Sequence, residues 1–176
     1  SRLWLRSGET SLSEDLYLFP AGSMMEAIYV TAMMVGRNLE VMAILNSDPT
    51  GNAIKRKYEH NWMPRYGIQR SNVFTLAECV GVGEREFWIE DLFPSDYYLA
   101  KVREVYKKQL AITGCEEIHP AGSGPLAKRV AAALEKYEIR FEKGLVVKAI
   151  RSEISRMNNI SQLPELTREM GRKLIE

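Results

Sequence analysis

Cysteine and long apolar runs are both scarce in this sequence of 176 residues, and each scarcity excludes a class of protein. The two cysteines, Cys79 and Cys115, are too few for a disulfide scaffold, so we expect two buried thiols in a reducing compartment. No apolar run reaches the roughly 18 residues of a membrane-spanning helix. No secretory signal is visible either. A cytoplasmic protein with no membrane partner is therefore predicted.

Net charge and familiar catalytic motifs are also lacking. The formal charge is only +1, so an anionic partner such as DNA would need a local basic patch. The sequence contains no CxxC zinc pattern, no Walker phosphate loop and no Gly-x-Ser-x-Gly elbow, and His60 and His119 lack metal-ligand spacing. The chain opens with Ser1 and not with Met, which leads us to expect a piece of a longer protein.

What is present is an ordinary globular composition, 45% hydrophobic and 27% charged, with strands and helices alternating in the first half. The predicted order there is strand 16–19, helix 24–35 capped by Ser23, strand 39–45, helix 52–62 ended by Pro64, and strand 73–76. The alternation predicts an α/β fold with a parallel sheet flanked by helices. Strand 39–45 is apolar almost throughout, as a central strand covered on both faces should be.

The second half is predicted to be helical. Its helices are expected from a cap at Ser95 or Asp96 to about Leu110, over 126–137, over 143–157, and from Pro164 onward.

The turn Asn46-Ser47-Asp48 follows the predicted central strand. Parallel strands deliver their carboxyl ends to the sheet edge where open α/β folds bind ligands. Carboxylate and amide oxygens suit a hard cation such as Mg²⁺, which makes Asp48, and more weakly Asn46, candidate metal ligands. The alternative is that both side chains only shape the turn and cap the next helix.

Two further groups of charged residues are candidates. Glu90 and Asp91 interrupt an apolar run, and burying adjacent acids without a counter-charge or metal is costly; the alternative is a solvated pair beside the cap of the next helix. Lys143 opens a predicted helix, where a cation opposes the helix dipole and is available for a phosphate. The alternative is that Lys143 is an ordinary surface lysine with no chemical role.

Five stretches, in this order, resemble the Toprim domain of the OLD-family (overcoming lysogenization defect) nucleases. They are residues 18–22 (LFPAG), 43–51 (AILNSDPTG), 89–93 (IEDLF), 141–146 (FEKGLV) and 163–167 (LPELT). The order and spacing of these stretches fit the family over most of the chain.

The resemblance implies a divalent-metal-dependent DNA endonuclease that binds Mg²⁺ or Mn²⁺ in a two-metal site. Asn46 and Asp48 fall on the family's Asp-x-Asp turn, Glu90 and Asp91 on its later acidic motif, and Lys143 on its probable catalytic lysine. It also implies a Toprim-like domain over residues 1–112, here without its first strand and the glutamate that strand carries, and a helical C-terminal extension over residues 113–176. An N-terminal ATPase domain of the ABC type and a homodimer are the implied protein partners.

The basic residues Lys55, Arg56 and Lys57 on the predicted helix after the turn are expected to contact the DNA backbone without reading sequence. Since the first acid of the turn is replaced by Asn46, a non-catalytic Toprim-like module for dimerisation or partner binding stays open as a second hypothesis. A receiver-like signalling domain also places acids at strand ends, but Glu14 and Asp15 precede their strand and do not end it.

Overall fold

The computed structural model describes residues 19, 21–66, 72–115 and 117–173. The described residues up to Ile89 form one compact unit, and those from Glu90 onward form another. We call them the sheet unit and the helical unit. The strand predicted at residues 16–19 lies almost entirely outside the described residues, and the domain boundary predicted after residue 112 stays a prediction.

The sheet unit contains a small parallel sheet surrounded by helices. Its elements are α1 (Met24–Val35), β1 (Ala43–Leu45), α2 (Pro49–Lys57), a π-helical turn (Tyr58–Trp62), α3 (Met63–Tyr66), β2 (Val73–Thr75) and α4 (Leu76–Val80). Strands β1 and β2 pair in parallel, with Ala43 opposite Val73 and Leu45 opposite Thr75. The prediction of a mixed α/β chain with a parallel sheet is confirmed, although the described residues are mostly helical and their sheet has two strands.

The core of the sheet unit joins α1, both strands and the π-helical turn. Ile28, Leu45, Tyr58 and Val73 are each at most 2% exposed and form one apolar cluster. The Tyr58 hydroxyl also has a buried polar role, because it donates to Oδ1 of Asn72 at 2.5 Å. This bond satisfies a hydroxyl that would otherwise be costly to bury.

Strand β1 is shorter and less covered than predicted. Its partner β2 ends at Thr75, because the Thr75 side chain and Glu78 form a capping box that starts α4 at Leu76. Residues 39–42 have no strand conformation, so β1 keeps only the last three residues of the predicted strand. Ile44 is 40% exposed, so the prediction of a seven-residue strand covered on both faces is wrong for the described part of the chain.

The prediction that Pro64 ends its helix is also wrong, because α3 continues to Tyr66. Proline in a helix clashes with the carbonyl four residues earlier. Here the amide of Met63 bonds to the Tyr58 carbonyl five residues back, which widens the turn just before Pro64. A π-helical turn of this kind relaxes the spacing that makes proline a helix breaker.

The helical unit follows the short 3₁₀ helix Ile89–Leu92. Its elements are α5 (Ser95–Thr113), α6 (Leu126–Glu135), α7 (Lys143–Arg156), a second 3₁₀ helix (Ile160–Gln162) and α8 (Glu165–Lys173). Helices α5 and α7 pack together through buried residues at helical spacing, including Val102 on α5 and Val146 on α7. The four long helices predicted for this half are confirmed.

The predicted cap of α5 is wrong. Pro94 occupies the cap position and accepts the amide of Tyr98 through its carbonyl at 3.0 Å, while Ser95 and Asp96 lie in the first turn. A proline needs no partner for a missing N–H, which makes it compatible with a helix start. The helix also runs beyond Leu110 to Thr113, where Gly114 adopts a left-handed conformation with φ of 67°.

Candidate functional site

The turn Asn46-Ser47-Asp48 joins β1 to α2 at the carboxyl end of a parallel strand, as predicted. Ser47 holds the turn in place: it is 2% exposed and exchanges two backbone hydrogen bonds with Phe87, at 2.9 and 3.1 Å. Its Oγ accepts the amide of Ala77 at 2.6 Å. The middle residue of the turn is therefore structural, and its two neighbours are half-buried.

Asp48 is the N-cap of α2. Its Oδ1 accepts the amide of Gly51 at 2.7 Å, which is the capping role that sequence reasoning weighed against metal binding. Among the described residues, no hydrogen bond engages the amide side chain of Asn46. The turn also depends on Gly51, because a Cβ there would lie 2.0 Å from the Asn46 carbonyl oxygen.

Glu90 is the most unusual acid in the helical unit. It lies in the 3₁₀ helix Ile89–Leu92 and is 2% exposed. Lys143, at the start of α7, places its Nζ 3.2 Å from Glu90 Oε1 without hydrogen-bond geometry. Neither carboxylate oxygen accepts a hydrogen bond from any described residue. The sequence named these two residues separately, and the fold pairs them.

Tyr98 adds a second buried polar group that sequence reasoning missed. Its side chain is fully buried on α5, and its hydroxyl has no hydrogen-bond partner in the described part of the chain. Burial, reinforced by the negative charges of Glu90 and Asp91, raises the pKa of Tyr98 well above its usual value. The phenol is therefore neutral, and it lies one helical turn into α5.

Asp91 has a different role from its neighbour. Its Oδ1 accepts the amide of Leu126 at 2.8 Å, at the start of α6. The local alternative of a solvated acid pair is wrong for Glu90, which is buried, whereas Asp91 is half-buried and contacts the start of α6.

The basic residues of α2 are placed unequally. Lys55 pairs with Glu78 and lies 3.8 Å from Glu59, and its ammonium sits over the Phe74 ring. Burial alone would raise the pKa of Glu78, but the hydrogen bonds from Lys55 and Thr75 lower it below its usual value.

Arg56 and Lys57 are exposed, and they are the two predicted DNA contacts that face solvent.

The predicted ligands do not form one metal cluster within the described residues. Over residues 19, 21–66, 72–115 and 117–173, no three His, Cys, Asp or Glu side chains are close enough to hold a metal ion. Asn46 and Asp48 belong to the sheet unit, and Glu90, Asp91 and Lys143 to the helical unit. Cys115 is buried and Cys79 half-buried, and both are free thiols.

The chain matches no protein-family model, no curated protein and no solved structure. Within the described ranges, none of the helices is long and apolar enough to cross a membrane.

Proposed function

We propose that this chain is the Toprim-like nuclease domain of an OLD-family ATPase-nuclease, and that it cleaves or nicks DNA with Mg²⁺ or Mn²⁺. The observation that supports this function best is the buried Glu90 carboxylate. It is 2% exposed, accepts no hydrogen bond from the described residues, and faces the ammonium of Lys143 at 3.2 Å. Such a carboxylate is costly to keep unless a cation compensates it.

The donor set suits a hard cation. Mg²⁺ keeps several waters and is commonly held by one or two carboxylates together with substrate phosphates, so three clustered acids are not required. Glu90 offers two oxygens without hydrogen bonds, and Asp48 keeps Oδ2 beside the oxygen that caps α2. The resemblance also implies Asn46 and Asp91 as ligands, Asn46 beside Asp48 in the sheet unit and Asp91 beside Glu90 in the helical unit.

The proposal gives separate roles to the metal ion, to Lys143 and to the basic residues of α2. When bound, the divalent cation would polarise the scissile phosphate and help to ionise the attacking water. Lys143 neutralises charge that develops on the phosphate oxygens. Arg56 and Lys57, together with Lys55, contact the DNA backbone without reading its sequence.

The proposal extends to the surroundings of the domain. It assigns the chain to the cytoplasm, as part of a protein whose ABC-type ATPase domain precedes it, and as a homodimer. The ATPase domain and the homodimer come from the resemblance of the five sequence stretches, and the cytoplasmic assignment comes from the scarcity of cysteine and of long apolar runs.

A plasmid-nicking assay tests the proposed activity. Supercoiled DNA is incubated with Mn²⁺ or with EDTA, using this chain and a version extended at its N-terminus. We expect metal-dependent nicking that Glu90→Gln and Lys143→Met each lower by about 100-fold or more, because each removes charge stabilisation at the phosphate.

Two matched variants control for non-specific charge effects. Glu142→Gln removes an exposed acid next to Lys143, and Lys148→Met removes an exposed lysine on the same helix. Both should nick at the wild-type rate. An extended protein that folds, binds DNA and shows no metal-dependent cleavage would refute the enzyme.

A second candidate function is a non-catalytic module for dimerisation or partner binding. It is favoured by Asp48, whose Oδ1 already caps α2, and by the neutral Asn46 in the same turn. Calorimetric titration of Mn²⁺ separates the two functions. Binding that Asp48→Asn weakens counts for the nuclease, and no binding at millimolar metal counts for the module.

A further inference from the structure

An exposed aromatic cleft lies on the sheet unit. Its residues are not among the candidate site residues named above. It is formed between α1 and the helical run that passes from the π-helical turn into α3. The residues that line it include Tyr29, Met33, Trp62, Arg65 and Tyr66, around a volume of about 570 Å³. This volume is in the range of small-molecule and nucleotide sites.

The three aromatic rings are not stacked face to face on one another. The ring centroids of Tyr29 and Trp62 are 5.1 Å apart at 53°, and those of Trp62 and Tyr66 are 6.4 Å apart at 68°. Rings that meet at these angles do not cover one another face to face. Tyr29 and Tyr66 are 58% and 59% exposed, an unusual exposure for two neighbouring aromatics on one surface.

The helical run that forms one side of the cleft is basic. The continuous helical run from Pro49 to Tyr66 carries four lysines and arginines against one acid, Glu59. The guanidinium of Arg65 lies 5.8 Å from the Tyr66 ring centroid, at the cleft itself. Exposed aromatic rings next to a cation match a partner that has flat rings and a negative backbone, whereas an apolar protein segment would not need the cation.

We infer that this cleft binds unpaired bases of single-stranded DNA, by stacking them on Tyr29 and Tyr66 while Arg65 and the basic residues of α2 contact the phosphates. The inference deepens the proposed function, on which it rests for the choice of DNA. It makes the substrate class a DNA with a single-stranded or frayed segment. The π-helical turn gives the cleft its shape, since it brings Trp62 against both the core and the open rings.

Binding is measured without cleavage, in EDTA, by the fluorescence anisotropy of a labelled oligothymidylate of about 16 nucleotides. An abasic strand of equal length carries the same charge but no bases. We expect the oligothymidylate to bind about 100-fold more tightly than the abasic strand, tenfold for each stacking ring, and more tightly than a duplex. Tyr29→Ala and Tyr66→Ala should each remove about tenfold of affinity, a loss worth about 1.4 kcal/mol.

Conservative and distant variants keep the test specific. Tyr66→Phe retains the ring and should bind like wild type, whereas Tyr137→Ala removes an exposed tyrosine of the helical unit and should change nothing. Thermal unfolding followed by circular dichroism verifies that the variants fold. Equal binding of oligothymidylate and abasic strands, or full affinity in folded Tyr66→Ala, would overturn the inference.

The outcomes also separate this inference from the nuclease itself. Base-dependent binding without metal-dependent nicking refutes the enzyme and leaves the cleft. Nicking without base-dependent binding refutes only the cleft. If Tyr66→Ala instead dissociates a dimer of this chain and DNA affinity stays unchanged, the cleft is a protein interface and the inference fails.

Discussion

The sheet unit and the helical unit treat their acids in opposite ways. In the sheet unit, Asp48 accepts the amide of Gly51 and Glu78 pairs with Lys55, so both carboxylates are satisfied by near neighbours. In the helical unit, Glu90 is buried, accepts no hydrogen bond from the described residues, and lies beside the Lys143 ammonium. Acids that follow similar apolar runs can therefore cap helices, or they can be buried charges that need a compensating cation.

This contrast indicates which of the acids is the better candidate for a chemical role. A capping carboxylate contributes to stability, and that role is enough to explain an acid at its position. A buried carboxylate that depends on one cation is costly to the fold, and such groups cluster at functional sites. The turn at Asp48 drew attention from sequence, but Glu90 supports the proposed function more strongly.

The largest expected effect comes from removing the cation beside Glu90. Lys143→Met should lower the free energy of unfolding by about 2 kcal/mol, less than for a fully buried pair because the lysine side chain is 44% exposed. Adding Glu90→Gln should recover most of the loss, since a neutral amide needs no counter-charge. Urea unfolding of the two variants and their combination measures both effects. A Lys143→Met protein as stable as Lys148→Met would show that the pair does not matter.

A smaller effect separates two buried tyrosines. Tyr58→Phe should cost about 1.5 kcal/mol, because it leaves Oδ1 of Asn72 without its donor. Tyr98→Phe should cost nothing or stabilise, since its hydroxyl has no partner among the described residues. Urea unfolding of the two variants is the measurement. Equal losses of unfolding free energy would mean that the Tyr98 hydroxyl does have a hydrogen-bond partner, for instance a buried water.

The smallest effect is a pH dependence in the sheet unit. The pKa of Glu78 is lowered in the folded chain, so its contribution is present above the ordinary glutamate pKa and is lost as pH falls through the lowered value. The pair is exposed, which limits the contribution to below about 1 kcal/mol. Glu78→Gln should remove this acid-side slope from unfolding curves measured between about pH 5 and pH 2. A slope that persists unchanged would assign it to other acids.

Local patterns were sufficient to predict most of the elements. Ser23 caps α1 because its hydroxyl accepts the amide of Glu26, and α7 begins at Lys143, as apolar periodicity and capping chemistry indicated. These features depend on residues within about one helical turn of each other, which is why a single sequence reveals them. The predicted strand over residues 39–45 was four residues too long. The failure at Pro64 came from a rare element, the π-helical turn.

The sequence by itself determined a globular α/β chain, the turn after β1 and the acidic and basic residues worth considering. The sequence also offered the cap at Asp48 as an alternative, whereas only the tertiary structure decided that Glu90 is buried against Lys143 and that Tyr29 and Tyr66 share a cleft. Burial and pairing across 53 residues of chain, as between Glu90 and Lys143, depend on how helices pack and not on local propensity. The physical reason is that a carboxylate's chemistry is set by what surrounds it, and those neighbours are distant in sequence.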